Sequence, residues 1–307
     1  MKTVRVLSLL IILTAGNSVF AGSLPFSRPG LIDIPTASML LHSQIRLGGA
    51  VTAFSYQMAD STTESDFAIG GHLEFGLLSR AQLGITWLGA AAISGDVRVL
   101  AIRESTVIPA IAIGCQNIIG EENYEFFRDD QDSLYKYEEA QNYSAYLVLT
   151  KSLDYFSGIP VCIHLGYGIG RFRQGENSGS DGISNPFPGL FGGFDYHPVS
   201  NVSLMLEWDG RDANFGASYT MNDYVRFLGA AAELEQLALN NRDLSDVMQN
   251  VKFSLGVEIT LGPFLNTTTL QSFGQLTERV NDDLLLKLEA IRANAREDIE
   301  ELKRDIP

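Results

Sequence analysis

Long hydrophobic runs are scarce in this sequence. Beyond residue 21 no stretch stays apolar over the roughly 20 residues that a membrane-spanning helix needs, although 45% of the 307 residues are hydrophobic. Proline is also sparse, with 10 residues against 29 glycines, and there are only 2 cysteines. These shortages disfavour a helical membrane protein. They leave an exported β protein or a membrane β-barrel, whose individual strands carry a weak signal.

Basic residues are the second shortage. The chain has 22 lysines and arginines against 37 aspartates and glutamates, which gives a formal net charge of −15. A chain this acidic does not bind nucleic acid by neutralising phosphates, so no nucleic-acid partner is predicted. The cysteines, Cys115 and Cys162, fall on opposite faces of non-neighbouring predicted strands. We therefore expect packing residues rather than a disulfide.

The N-terminus carries the three parts of a secretory signal peptide. Lys2 and Arg5 provide a basic start, an apolar run over residues 6–13 follows, and Val19-Phe20-Ala21 matches the small-residue pattern of a cleavage site. The apolar run is too short to cross about 30 Å of hydrocarbon as a helix. Residues 1–21 are therefore predicted to be a cleaved signal peptide, and the mature chain is predicted to be exported.

Between residues 44 and 265, apolar and polar residues alternate with a period of two, which is typical of half-buried strands. The gaps after odd strands are mostly longer than those after even strands, as the outer loops and periplasmic turns of a bacterial barrel require. The predicted fold class is all-β, an antiparallel transmembrane barrel of about twelve strands, with a soluble β-sandwich as the alternative. The predicted strands are 44–56, 66–75, 80–89, 95–103, 107–116, 142–151, 160–170, 188–197, 201–208, 213–221, 224–235 and 250–261.

The polar face of these strands is predicted to line the lumen, because lipid tolerates charges poorly. Arginine at Ser203 or Ser254 on that face is predicted to be better tolerated than arginine at Leu204 or Leu255. The mixed signs of the lumen charges predict pairing across a narrow barrel and little steady ion current. The residues predicted to face the lumen are Arg46, His72, Glu74, Arg80, Asp96, Arg98, His164, Asp195, Glu207, Lys252 and Glu258.

The tail, residues 266–307, has a different period. Its apolar residues recur at steps of three and four, which predicts a C-terminal amphipathic α-helix on the periplasmic side. The helix could pair with another helix, cap the barrel mouth or remain solvated. Its apolar stripe is the predicted contact for a periplasmic export protein or for self-association. The stripe consists of Leu276, Val280, Leu284, Leu288 and Ile291.

No catalytic, cofactor or metal signature stands out, so the chain is predicted to be neither an enzyme nor a cofactor-binding protein. His72 and Glu74 share one strand face, as do Cys162 and His164. Such neighbours could build a metal or acid–base site, and polar packing of the lumen explains them equally well. The acidic loop 117–141 could hold divalent cations, but a solvated loop is the simpler interpretation.

The run Pro29 to Ala37, Pro-Gly-Leu-Ile-Asp-Ile-Pro-Thr-Ala, resembles the N-terminal signature of the YjbH family of exopolysaccharide-associated outer-membrane proteins. Shorter similar phrases continue to about residue 261, among them HLGYGIGRF from His164 and EWDGRDANFGASY from Glu207. The chain departs from that family in being much shorter and in carrying the acidic tail. The residues that carry the signature are Gly30, Leu31, Pro35, Thr36 and Ala37.

This resemblance implies a non-enzymatic outer-membrane component of exopolysaccharide or capsule export or assembly. A general diffusion porin is the alternative, as is a structural barrel that docks a periplasmic partner through its C-terminal helix. The predicted location is the cell outer membrane, with lipid as the main contact. The predicted regions are the signal peptide 1–21, the N-terminal signature segment 22–43, the barrel 44–265 and the periplasmic tail 266–307.

Overall fold

The fold is that of a computed structural model of the chain. The chain divides into two units, Met1–Phe264 and Leu265–Pro307. The fold described below belongs to the first unit. The predicted signal peptide, residues 1–21, and the predicted tail, residues 266–307, lie outside the described residues. The structure describes residues 24–57, 63–88, 93–119, 125–128, 133–136, 143–154, 158–173, 187–210, 212–234, 248–249 and 251–265.

Twelve antiparallel strands form one closed sheet, which confirms the predicted barrel. Their β-branched and aromatic residues alternate with small or polar ones, as suits a pleated sheet whose two faces meet different surroundings. The strands are β1 Ile45–Gln57, β2 Thr63–Leu77, β3 Ala81–Trp87, β4 Ile93–Ile102, β5 Ala110–Ile119, β6 Ser144–Ser152, β7 Val161–Gly168, β8 Leu190–Val199, β9 Val202–Trp208, β10 Ala213–Thr220, β11 Val225–Ala232 and β12 Lys252–Leu261. Smaller pieces are the hairpin Glu125–Arg128 with Ser133–Lys136, and Met248–Gln249, which pairs with β1.

The sheet closes because β1 has a partner on each side. Ile45 pairs with Phe75 in β2 and with Leu261 in β12, and the β12 register continues to Ala53 opposite Phe253. Every barrel strand therefore has two neighbours, and the barrel leaves no edge strand whose N–H and C=O groups must find other partners.

The two ends of the barrel differ in the length of their connections. Long connections at residues 120–143, 169–189 and 233–251 all follow odd-numbered strands. The turns at 78–80 and 200–201, at the opposite end, are short. Because β1 begins and β12 finishes at the short-turn end, both the entry to and the exit from the barrel lie there.

The predicted fold class is wrong in its helical element. The elements of the described chain are strands and one 3-10 helix, Gly170–Arg173, so the fold is all-β. Steps of three and four show only that one face of a helix would be apolar, and a helix without a packed partner surface is marginal in water. No helix among the described residues is long and apolar enough to cross a membrane. The stripe on which the C-terminal helix was predicted lies outside the described residues: Leu276, Val280, Leu284, Leu288 and Ile291.

The two faces of the barrel wall have opposite chemistry. Large apolar side chains stand exposed on the outer face, including Leu47, Leu83, Ile113, Leu165 and Leu255. The inner face is buried and carries polar or small residues, together with a few large apolar ones that form a hydrophobic core inside the barrel. The usual arrangement of a soluble protein, with apolar residues inside and polar residues outside, is therefore reversed over most of the wall.

Candidate functional site

Residues 24–40, which precede β1, lie inside the barrel, and we call this segment the plug. Ile32 and Ile34 of the plug are 0% exposed and belong to one hydrophobic cluster with Val148, Phe172 and Phe191 of the barrel. The sequence marks this stretch as a region of its own but does not predict its place in the lumen. The plug brings residues of the segment Gly30 to Ala37 into contact with the inner wall.

Glu207 on β9 holds the turn of the plug. Its carboxylate accepts hydrogen bonds from the backbone N–H groups of Ile32, Asp33 and Ile34, at 2.9, 2.8 and 3.3 Å. The turn is closed by the N–H of Leu31, which donates to the carbonyl of Ile34 at 2.9 Å. Successive amides aimed at one point form a nest that binds an anion. Because buried amides need partners, Glu207 determines both the position and the conformation of this turn.

Asp33, within the same turn, is tied to a second part of the wall by Arg171 of the 3-10 helix that follows β7. Arg171 Nη1 lies 2.9 Å from Asp33 Oδ2, and Nη2 donates to the Asp33 carbonyl at 2.9 Å. Arg171 Nε donates to the Gln116 side chain at 2.7 Å. Both charged side chains are buried. Removing one member of a buried ion pair costs about 3–5 kcal/mol, so this is a strong tie between plug and wall.

Arg98 on β4 binds the later part of the plug, at Thr36. Its Nη1 donates to the carbonyl of Thr36 at 2.8 Å. Its Nη2 donates to Gln82 at 3.0 Å and lies 3.3 Å from Glu74 Oε1. Gln82 in turn donates to the same Glu74 oxygen at 2.9 Å. The guanidinium is thus oriented by two wall side chains, and it presents one edge to the plug.

A chain of hydrogen bonds runs from the plug to the short-turn mouth of the lumen. The N–H of Ala37 donates to Thr150 Oγ1 at 2.9 Å, and Thr150 lies 2.9 Å from His164 Nδ1. Asp195 Oδ1 lies 3.1 Å from His164 Nε2, and because a carboxylate only accepts, Nε2 is the donor of that hydrogen bond. In a neutral ring Nδ1 is then the acceptor and the Thr150 hydroxyl donates to it, while the threonine oxygen accepts from Ala37. Asp195 Oδ2 then lies 2.7 Å from His197 Nε2.

A glycine on the inner wall makes room for the plug. Gly193 on β8 pairs with His164 on one side and Glu207 on the other. A Cβ atom at this position would lie 2.8 Å from Leu31 Cδ2 and 2.9 Å from Glu207 Cβ. Leu31 therefore occupies the space that a side chain at residue 193 would take. The missing side chain allows the plug to approach the wall next to its main polar tie.

Other ionisable side chains on the inner face, buried or half-buried, lie close to partners elsewhere on the wall. His72 Nε2 is 3.6 Å from Glu258 Oε1, and Arg226 Nη1 is 3.4 Å from Glu258 Oε2. Arg46 Nη1 lies 3.7 Å from Glu74 Oε2. At the long-connection end, Lys252 Nζ lies 2.6 Å from Glu233 Oε1, with both side chains buried. Opposite charges on the inner face are thus distributed around the wall in pairs.

Arg80 does not take its predicted place on the inner face. It lies in the exposed turn Leu78–Arg80, because β3 begins one residue later at Ala81. The sequence analysis did not single out Thr150, Arg171 or Asn214, although the period of two places Thr150 and Asn214 on the polar faces of their strands. The other residues predicted to face the lumen lie on the inner face, buried or half-buried: Arg46, His72, Glu74, Asp96, Arg98, His164, Asp195, Glu207, Lys252 and Glu258.

Gly48 offers a test of packing inside the wall. It pairs with His72 in β2 and with Glu258 in β12, and the imidazole of His72 lies over it to reach Glu258. A Cβ at residue 48 would overlap that ring. We expect Gly48→Ala to lower the free energy of unfolding by about 1–3 kcal/mol, the usual cost of overpacking. The measurement is the urea midpoint of the detergent-folded protein.

The neighbouring glycine is the matched control. A Cβ at Gly49 would have its nearest neighbour at 3.7 Å, the carbonyl oxygen of Gly70, which is an ordinary contact. Gly49→Ala should therefore leave the urea midpoint close to that of the wild type. If both substitutions destabilise the protein equally, the assignment of Gly48 to the packed inner face is wrong.

Comparisons with known proteins identify no family for this chain. No family model matches it, and no curated protein matches it. Solved structures with some similarity include a KdgM porin, with 13% identity and a TM-score of 0.37 over 69% of this chain and 99% of that one. The Acinetobacter baumannii outer membrane protein Omp33 has 8% identity and a TM-score of 0.36, over 72% and 99%.

A third solved structure is the COG4313 outer membrane channel from Pseudomonas putida F1. Its identity is 11% and its TM-score 0.33, over 74% of this chain and 99% of the channel. Identities and TM-scores this low assign no activity to the present chain.

Proposed function

We propose that this chain is a transmembrane β-barrel of the outer membrane, of the channel type, whose lumen is closed by its own plug. The observation that carries the proposal is the reversal of the wall: an exposed apolar outer face around a polar inner face that binds residues 24–40. Soluble monomers rarely expose apolar patches larger than a few hundred Å². An even-stranded barrel with an apolar outer band is instead suited to lipid.

The uneven connections support an orientation within that membrane. In bacterial outer-membrane barrels the short turns face the periplasm and the longer loops face outward. On that basis the turns at 78–80 and 200–201 would be periplasmic, and the connection 120–143 would be external. The plug would then enter the lumen from the periplasmic side, because it leads directly into the start of β1.

The filled lumen supports a closed resting state rather than an open diffusion pore. A polar cavity beside Pro29, between Glu74, Arg98 and Tyr146, measures about 10 Å³, which is room for about one water molecule. An open porin needs a continuous water-filled path along its axis. In this protein such a path requires the plug to move.

The plug is attached in a way that would permit this movement. Its main-chain hydrogen bonds are internal, as between Phe26 and Ile32, or go to wall side chains such as Glu207 and Thr150. It adds no strand to the sheet. Displacing it would therefore leave the ladder of backbone hydrogen bonds in the wall intact, at the cost of the side-chain ties and the apolar contacts.

Gly30→Ala tests the plug without altering the wall. A Cβ at residue 30 would overlap the backbone carbonyl of Ile34, so the turn that presents its amides to Glu207 could not close. Wild-type protein in planar bilayers should pass little steady current. The variant should open more often, by about tenfold for each 1.4 kcal/mol of plug binding that is lost. Gly49→Ala on the outer face is the control and should behave as the wild type does.

Two results would contradict the proposal. Recovery of the wild-type protein as a soluble periplasmic protein would contradict the membrane assignment. Large, stable openings in the wild type that are unchanged in Gly30→Ala would indicate an open porin whose conductance the plug does not control.

The resemblance to the YjbH family suggests a finer role, which we infer from the signature alone. In that role the barrel would take part in the export or assembly of surface polysaccharide. The resemblance suggests no chemical reaction for the barrel itself. The signature residues Gly30 to Ala37 form the core of the plug, so the same Gly30→Ala variant should alter polysaccharide display in cells. Normal display despite a changed conductance would separate the channel proposal from the polysaccharide role.

A further inference from the structure

Three side chains of metal-binding type converge at the short-turn mouth of the lumen. Cys162 lies near the start of β7, and Asp195 and His197 lie near the end of β8. Cys162 pairs in register with Asp195, and His197 follows Asp195 by two residues on the same face. One ligand atom from each, the thiol sulfur, a carboxylate oxygen and a ring nitrogen, lie within 4.8 Å of one another.

We propose that Cys162, Asp195 and His197 bind a transition-metal ion of the zinc class, with water at the fourth position. A thiolate, an imidazole and a carboxylate are the ligands that Zn²⁺ takes in proteins. Calcium and magnesium prefer sites made of oxygen alone, and the thiolate shifts selectivity towards softer ions. From the sequence, Cys162 is grouped only with His164 and no metal site is predicted, because Asp195 and His197 are distant from Cys162 along the chain.

The geometry needs little adjustment to accept an ion. Asp195 Oδ2 and His197 Nε2 are 2.7 Å apart. Two atoms bound tetrahedrally to one zinc at about 2.0–2.1 Å lie roughly 3.4 Å apart, so the pair must separate by less than about 1 Å. The His197 side chain is 39% exposed at the rim, and it can move without disturbing the packed interior.

The charge of the three ligands and the access of solvent to them also suit a divalent metal ion. A deprotonated thiol and the Asp195 carboxylate would offset the two positive charges of the ion, since metal binding releases the thiol proton. The Asp195 side chain is 16% exposed and the Cys162 side chain is half-buried. An ion and its water can therefore reach the site from the short-turn side.

His164 would position the carboxylate. Its Nε2 lies 3.1 Å from Asp195 Oδ1, the oxygen that does not face His197. A ligating carboxylate is typically held in this way by a hydrogen-bond donor behind it, and losing such a partner lowers metal affinity about 10–100-fold. Because His164 is also hydrogen-bonded to Thr150, the site shares this residue with the chain of hydrogen bonds from the plug.

Cobalt binding to the full chain, purified and folded in detergent micelles, tests the ligand set. Wild-type protein should bind one equivalent of Co²⁺, with a thiolate-to-cobalt charge-transfer band and tetrahedral d–d bands in the visible. Cys162→Ser should abolish the charge-transfer band, and His197→Gln should weaken binding by at least about tenfold. Cys115→Ser is the matched control, because Cys115 belongs to no comparable group among the described residues.

Alkylation of the unmodified protein tests the site without any risk of misfolding. Iodoacetamide labelling is followed by mass spectrometry at both cysteines, with and without Zn²⁺. Zinc should slow labelling of Cys162 by about tenfold or more and leave that of Cys115 unchanged. Equal labelling rates with and without zinc would overturn the proposal, as would a charge-transfer band that survives in Cys162→Ser.

Discussion

Replacing Glu207 with alanine is expected to destabilise the protein more than any other single substitution on the inner wall. The change removes the acceptor for the backbone amides of Ile32, Asp33 and Ile34. Each buried donor left unsatisfied costs about 1–3 kcal/mol, and water admitted to the space would recover only part of this. Glu207→Ala should therefore lower the urea midpoint of the folded barrel and raise its leak conductance.

Measuring both the urea midpoint and the leak conductance distinguishes loss of plug binding from general destabilisation of the barrel. Glu207→Gln keeps one acceptor oxygen, so it should lie between wild type and alanine in both measurements. Glu258→Ala removes another buried carboxylate, one that pairs with the wall residues His72 and Arg226. It should reduce stability without raising conductance. If Glu258→Ala leaks as much as Glu207→Ala, Glu207 is only one of many wall charges and does not hold the plug.

The wall of this barrel could be predicted from the sequence because its signals are local. Alternation of apolar and polar residues follows directly from the geometry of a strand with lipid on one side. The predicted strand 250–261 and the observed strand Lys252–Leu261 differ at one end by two residues. The unequal lengths of the connections independently favoured a bacterial barrel with longer loops at one end and short turns at the other.

The plug could not be predicted in the same way. Its turn is held by Glu207, which is 175 residues from Ile32 along the chain, and no periodicity connects the two. The resemblance predicted for residues 29–37 does not indicate what surrounds them. One feature of the sequence could have indicated the plug, namely the small size of some inner-face residues. Leu31 packs against Gly193, and Ile32 packs against Gly216. Small residues on an inner face indicate that something else fills the space.

Because the plug fills the lumen, one expectation about the inner face changes. From alternation alone, arginine at Ser254 should be tolerated because the position faces the lumen. The structure buries Ser254 to 1% exposure, with its hydroxyl 2.6 Å from that of Thr52. A lumen-facing position is therefore not a solvated one in this protein. Arginine there would overpack the interior, at a cost of about 1–3 kcal/mol.

Leu255→Arg is expected to have a large effect for the opposite reason. Leu255 is 75% exposed on the outer face of β12, between Val51 of β1 and Gly229 of β11. If this face meets lipid, a guanidinium near the middle of the strand costs about 2–4 kcal/mol. The variant should fold into liposomes with a lower yield and a lower urea midpoint than the wild type. In water alone, the same exchange of an exposed leucine would be nearly neutral.

Leu78→Arg is the matched control for this test. Leu78 is also a leucine, 57% exposed, but it lies in the short turn between β2 and β3 rather than within a strand. Arginine near the membrane interface costs only about 0–1 kcal/mol, so this variant should insert almost as well as the wild type. Both variants exchange an exposed leucine side chain for arginine, and the expected contrast comes from the difference in depth in the bilayer. Equal insertion of both variants would mean that the apolar belt does not face lipid, and the barrel would then need another apolar partner to cover it.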